Sequence, residues 1–112
     1  MKLHYKDFTM LFAADIEAPT EASLIAKYGD KLKVDVLKVP HHGIKTSSTE
    51  EFIKQVNPKY ALISCNDPSH DHPNKSIAKR YKNLGIKTYS TREQGDVVLV
   101  TDGKNIEFPN LK

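Results

Sequence analysis

Four of the five histidines of this 112-residue chain fall in two short polar segments. One is His41-His42-Gly43; the other, Asn66-Asp67-Pro68-Ser69-His70-Asp71-His72-Pro73, holds two further acids. A third acid, Asp15, lies upstream of both. Carboxylate oxygen and neutral imidazole nitrogen are the usual ligands of zinc and manganese. A metal held this way lowers the pKa of a bound water to about 7 and presents hydroxide to an electrophile. Metal-assisted hydrolysis is therefore the chemistry these residue types suit best. A serine hydrolase would need a G-x-S-x-G elbow, and nucleotide binding a G-x-x-x-x-G-K or G-x-G-x-x-G loop; the chain has none of these. Cys65 with His70 or His72 is the remaining nucleophilic pairing, and it lacks a defined base. Each cluster also has a plainer reading: a solvated histidine pair, an aspartate that forms a turn or caps a helix, a polar loop entering a helix at Pro73. Lys38 and Lys45 flank the histidine pair, where they could attract a polyanion or serve solubility alone.

Placement raises the value of the clusters. Phe8, Met10 and Phe12 alternate at the strand period, after Leu3 and Tyr5 in what reads as a hairpin, and the strand ends near Asp15. Val34, Val36, Leu37 and Val39 form a nearly continuous aliphatic run, as in a buried strand, stopped by Pro40 just before His41. Tyr60 to Ser64 is a third such run, followed by the Asp67–His72 loop. Sites in α/β sheets lie just outside the carboxyl ends of strands. If these three strands are parallel neighbours, Asp15, His41, His42 and His72 converge on one rim.

Between the strands, the pattern predicts a helix opening at Pro19-Thr20 with Leu24, Ile25 and Tyr28 on one face and Gly29 after its end. Ser47 or Ser48 is expected to cap a second helix, with Glu50 or Glu51 completing a capping box and Phe52, Ile53 and Val56 as its buried stripe. Asn74 or a neighbour caps a third, carrying Ile77, Ala78, Tyr81 and Leu84 and closed by Gly85. A strand at 86–89 and a hairpin about Asp102-Gly103 complete the chain. The order βαβαβαβ plus hairpin specifies an α/β layered fold with a largely parallel sheet.

Hydrophobic residues at 38% and charged residues at 28% fit a globular domain. No apolar run approaches the ~20 residues that span a bilayer, and the first residues carry no signal-peptide pattern. A single cysteine excludes an internal disulfide framework. The formal charge of +3 is uneven: residues 1–30 carry three lysines and five acids, and the basic excess lies in the remainder. That excess favours a phosphate-bearing substrate but is too dilute to establish nucleic-acid binding.

In this order the clusters resemble the metallo-β-lactamase superfamily, and within it the soluble hydrolase domain of ComEC-like DNA-uptake competence proteins and their free-standing relatives. Leu11-Phe12-Ala13-Ala14-Asp15-Ile16-Glu17 is similar to that family's LLTGDIE segment, and Asp35 through Gly43 to its ADVLKVPHHGS segment. Pro58 to Ser64 followed by His72-Pro73 resembles P-x-x-AVIS…YGHP. The likeness implies the C-terminal half of an αββα sandwich: a mixed, largely parallel sheet with helices on one face and a C-terminal hairpin, occupying residues 1–112. It further implies a binuclear zinc or manganese centre, with Asp15 bridging the metals and one of His41 and His42 as ligand. The other histidine of the pair, or His72, would meet the phosphoryl oxygens or protonate the leaving group. Asp15, His41 and His42 are thus the expected metal residues, and His42 and His72 the expected catalytic ones.

The family's main ligand string, H-x-H-x-D-H, does not occur in the chain. A catalytic zinc takes about three protein ligands, so the chain alone is expected to bind metal weakly and hydrolyse little. Its expected partners are the N-terminal half of the same domain, or a second copy covering the sheet face that half would bury, and a phosphoester or DNA substrate. The alternative is a non-catalytic interaction or DNA-docking module. Ala14 stands where the family has glycine, which matters if that backbone takes positive φ. Ile44 stands in place of serine, and Ser69-His70-Asp71-His72 in place of an aromatic-glycine-histidine turn. The resemblance leaves the compartment open: cytoplasmic for a free-standing form, extracytoplasmic for part of a competence membrane protein.

Overall fold

Alternating side chains at the start of the chain form a hairpin, β1 (Lys2–Tyr5) and β2 (Phe8–Phe12), and the computed structural model describes residues 1–65 and 73–109 of the protein. There follow α1 (Ala18–Tyr28), β3 (Val36–Lys38), α2 (Glu50–Val56), β4 (Tyr60–Ile63), α3 (Lys75–Asn83), β5 (Lys87–Ser90), α4 (Thr91–Gln94), β6 (Val100–Thr101) and β7 (Ile106–Glu107). Single 3-10 turns occupy Gly29–Leu32 and Pro40–Gly43. The first five strands form one sheet in chain order, with β1 antiparallel to β2 and β2 through β5 parallel. β6 and β7 make a separate antiparallel hairpin.

Period-two alternation divides the sheet's side chains between two faces. Leu11, Leu37, Ala61 and Ile63 point to one face, where Leu24 and Ile25 of α1, Phe52, Ile53 and Val56 of α2, and Ile77 and Tyr81 of α3 complete the main core. The three helices that connect the consecutive parallel strands, α1, α2 and α3, thus pack on the same side. The opposite face carries Phe8, Met10 and Val36, with Phe12, Tyr60, Leu62, Leu99 and Ile106 packed against them. Phe108 stands edge-on to Tyr60, with ring centres 5.0 Å apart, so the C-terminal hairpin roofs part of this face. Leu3 and Tyr5, paired with Met10 and Phe8, share that face and remain exposed, as do Val98 and Val100.

The helices end as expected at Gly29 and Gly85, and Asn74 caps α3 by accepting from Ser76 N at 3.0 Å. The expected cap of α2 is corrected. Thr49 is the N-cap, its hydroxyl accepting from Phe52 N at 3.2 Å, whereas Ser47 and Ser48 are buried and used elsewhere. The strand expected at 34–39 is confined to Val36–Lys38, the last sheet strand lies at Lys87–Ser90, and α4 is an addition that the apolar pattern does not mark. The hairpin strands beside Asp102-Gly103 are only two residues each, shorter than the flanking apolar runs.

Candidate metal-ligand rim

β2, β3 and β4 are parallel neighbours, so their carboxyl ends open on one rim. Backbone hydrogen bonds tie the loops there. Ala14 O accepts from His41 N at 2.7 Å, joining the segment after β2 to the turn after β3. His42 Nδ1 lies 2.5 Å from Ser64 O, joining that turn to the end of β4. Asp15, His41 and His42 therefore belong to one contiguous strip. Gly43 completes the turn with φ +79; a Cβ there would sit 2.9 Å from Pro73 Cβ, and Asn74 N donates to its carbonyl at 3.0 Å. Asp67, His70, Asp71 and His72 lie outside the described residues.

A carbonyl oxygen only accepts, so in the contact with Ser64 it is His42 Nδ1 that donates. His42 is exposed and His41 half-buried. Both lie in the left-handed region, at φ 49 and 56. Two successive non-glycine residues there are uncommon, and such strain clusters at sites where the surroundings over-determine the backbone. Ala14 joins them at φ 52, so the position where the resembled family has glycine is one where the backbone demands positive φ.

What holds this strain is a buried network behind the turn. Glu21, on the inward stripe of α1, has no exposed surface and accepts from Ser48 N at 2.5 Å and Thr49 N at 2.8 Å. Ser48 Oγ shares a 2.8 Å hydrogen bond with Tyr81 OH, and Arg80 donates to Ser48 O at 2.7 Å. Burial pushes the Tyr81 hydroxyl pKa upward, with Glu21 adding to the rise. Ser47 Oγ donates to Ile16 O at 2.6 Å, Ala18 N to Thr46 O at 3.0 Å, and Thr46 Oγ1 to Glu17. The Asp15 segment is thus pinned on both sides, by His41 and by residues 46–47. Glu21 is the residue the sequence reading missed. Its signal was spacing, since it precedes Leu24, Ile25 and Tyr28 by three, four and seven residues and so puts a charge on the apolar stripe.

Lys38 is half-buried in the central strand, on the face away from the helices and in register with Phe12 and Leu62. Burial lowers its pKa, and the Asp15 carboxylate opposes that shift. A cation is thus kept beside the rim's carboxylate. Among the described residues no three carboxylate, imidazole or thiolate groups gather closely enough to enclose a metal. Asp15, His41 and His42 lie along this rim without forming such a group.

No family model matches the chain. It is 34% identical over 105 residues to the uncharacterized protein YcaI of Escherichia coli, covering 93% of this chain. It is 36% identical over 87 residues to competence protein ComA of Neisseria gonorrhoeae, covering 77% of the chain. ComE operon protein 3 of Bacillus subtilis is 33% identical over 88 residues, or 78% of the chain. Its homologues include competence proteins. The chain spans 14%, 13% and 11% of the lengths of these three relatives. No helix among the described residues is long and apolar enough to cross a membrane.

Proposed function

We propose that this chain is the C-terminal half of a metallo-β-lactamase-like domain in a ComEC-like competence protein. Its rim would form part of a zinc- or manganese-dependent site for phosphoester hydrolysis during DNA uptake. The observation that carries the reading is the continuous link Ala14–His41 and His42–Ser64 across three strand ends, with both imidazoles on strained backbone. The donors fit in kind. Asp15 offers an exposed carboxylate, and His42 donates from Nδ1 to the Ser64 carbonyl, the kind of contact that orients a ligating imidazole. They fall short in number, which is why the N-terminal half and its H-x-H-x-D-H string belong to the proposal. When bound, the metal would lower the pKa of a water and polarise a phosphoryl oxygen. The chain's own part is to hold Asp15 and one imidazole at fixed spacing, and to bring the other imidazole, or His72, to the leaving group.

Two measurements test this. Zinc titrated into the isolated chain should bind weakly; a sub-micromolar site with strong diesterase activity would overturn the half-site reading. The polypeptide extended upstream to include an H-x-H-x-D-H string should bind metal tightly and cleave a phosphodiester, and both properties should collapse in Asp15→Asn. The open donor set also favours the second reading, a non-catalytic docking module, which holds if no such string precedes the chain.

A further inference from the structure

A groove of about 720 Å³ lies on the helix side of the sheet, between α1 and the β1–β2 hairpin, and its size is that of a small-molecule site. It exists because β1 is the edge of the sheet. The connecting helices follow strands β2 to β4, and the four residues of β1 all remain exposed. Thr20, Leu24 and Tyr28 recur every four residues, so they form one wall as a stripe along α1, about 12 Å long at the helical rise. Leu11, Ala13 and Ala14, at and just past the end of β2, form the facing wall. The charges gather at one end. Lys2 Nζ donates to Lys31 O at 2.8 Å, which carries its ammonium to the turn that follows Tyr28. The other end, at Thr20 and Ala13-Ala14, has no ionisable lining side chain, and among the described residues no carboxylate lines the groove anywhere.

We infer that this groove binds the monomeric anion of a straight-chain fatty acid, with the alkyl chain along Thr20, Leu24 and Tyr28 and the carboxylate at Lys2 and Lys31. A cavity that is long, apolar along its walls and cationic at one end matches a ligand divided in the same way. A sugar or nucleotide would leave polar groups against Leu11, Ala13 and Leu24 without hydrogen-bond partners. A cationic chain would meet two lysines and no acid. The inference is independent of the metal-site proposal, since neither Asp15 nor the histidine pair lines the groove.

The test is isothermal titration calorimetry of the whole chain with octanoate, decanoate and dodecanoate, each below its critical micelle concentration. One saturable site is expected, tightening about 3-fold per added methylene, a little less than the roughly 4-fold of complete burial. Thr20→Trp plugs the groove from an exposed position and should weaken dodecanoate at least ~10-fold, whereas Ala22→Trp, exposed on the same helix but outside the groove, should change it less than ~2-fold. Lys2→Gln/Lys31→Gln replaces two exposed side chains, and so serves even if the bulky variant unfolds. It should weaken dodecanoate about 5-fold, and the wild type should prefer dodecanoate to dodecyltrimethylammonium by at least that factor. Heats that never saturate with dodecanoate overturn the inference, as do equal affinities for the two head groups or equal losses in the two tryptophan variants. Binding confined to phosphatidylglycerol vesicles, with none to the monomeric acid, overturns it as well.

Discussion

The molecule makes two kinds of tight turn, and their contrast separates architecture from chemistry. At the C-terminal hairpin, Asp102 Oδ1 accepts from Lys104 N at 2.9 Å and Asn105 N at 2.7 Å, and a glycine takes the φ of +96 that follows. Gly103 also lets Lys6 approach to 2.6 Å of where a Cβ would stand. Here residue types match backbone demand and little strain is stored. At the strand-end rim, alanine and two histidines occupy positive φ, and Ser48 does so at φ 58. Only Gly43 relieves the second turn. A buried carboxylate on α1 and a tyrosine and an arginine on α3 hold the rest. The rim gives up local comfort for the placement of imidazoles; the hairpin does not.

The contrast can be broken most forcefully at Glu21. Glu21→Ala leaves the buried N–H of Ser48 and the half-buried N–H of Thr49 without their acceptor, and should destabilise the chain by about 3 kcal/mol in urea unfolding. A loss below about 1 kcal/mol would show that the network does not hold the rim. Gly43→Ala adds a methyl group 2.9 Å from Pro73 Cβ at φ +79, and should lose about 2 kcal/mol by the same measurement. Ala14→Gly runs the other way. It removes the Cβ from a residue at φ 52 and should stabilise by about 1 kcal/mol. A destabilised Ala14→Gly would mean that the rim is not strained there.

Two smaller effects sharpen the electrostatic side. Lys38 has a lowered pKa in the folded chain, so above neutrality the unfolded chain binds more protons and stability rises as pH climbs toward the ordinary lysine range. Lys38→Met should therefore be more stable near neutral pH, with an advantage that shrinks in alkali, as read by thermal unfolding across pH. At the hairpin, backbone N–H groups of Asn105 and Lys104 and the Asn105 side chain hold the Asp102 carboxyl at about 2. Its contribution is present above the ordinary carboxylate range and lost as pH falls through about 2. A carbon-detected titration of Asp102 with a midpoint near the ordinary value would remove that distinction between the turns.

Much of this was legible. Alternating Phe8, Met10 and Phe12, the aliphatic run at Val36–Val39 and the glycines at 29 and 85 specify elements through local periodicity and backbone freedom. Asp15 and His41-His42 were singled out because they follow strand ends. The misses have one source. Thr49, not Ser47 or Ser48, caps α2 because the Ser47 hydroxyl is spent on Ile16 O and the Ser48 hydroxyl on Tyr81, while Glu21, 27 and 28 residues away on another helix, holds the N–H groups of 48 and 49. The cleft that Lys75, Lys79, Lys82 and Arg92 line went unread because three lysines on α3 mean little until α4 brings Arg92 beside them.

By itself, then, the sequence determined the α/β order, the inward stripes and the chemical identity of the candidate ligands, since these depend on residue type and on periods of two and 3.6. The tertiary structure decided the rest: which loops meet, that His42 Nδ1 reaches Ser64 O, that Ala14, His41 and His42 are held left-handed, and that Lys75, Lys79, Lys82 and Arg92 line one cleft. Those outcomes arise from contacts between residues distant in the chain, and their energies appear only when the sheet has closed its register and the helices have packed against it.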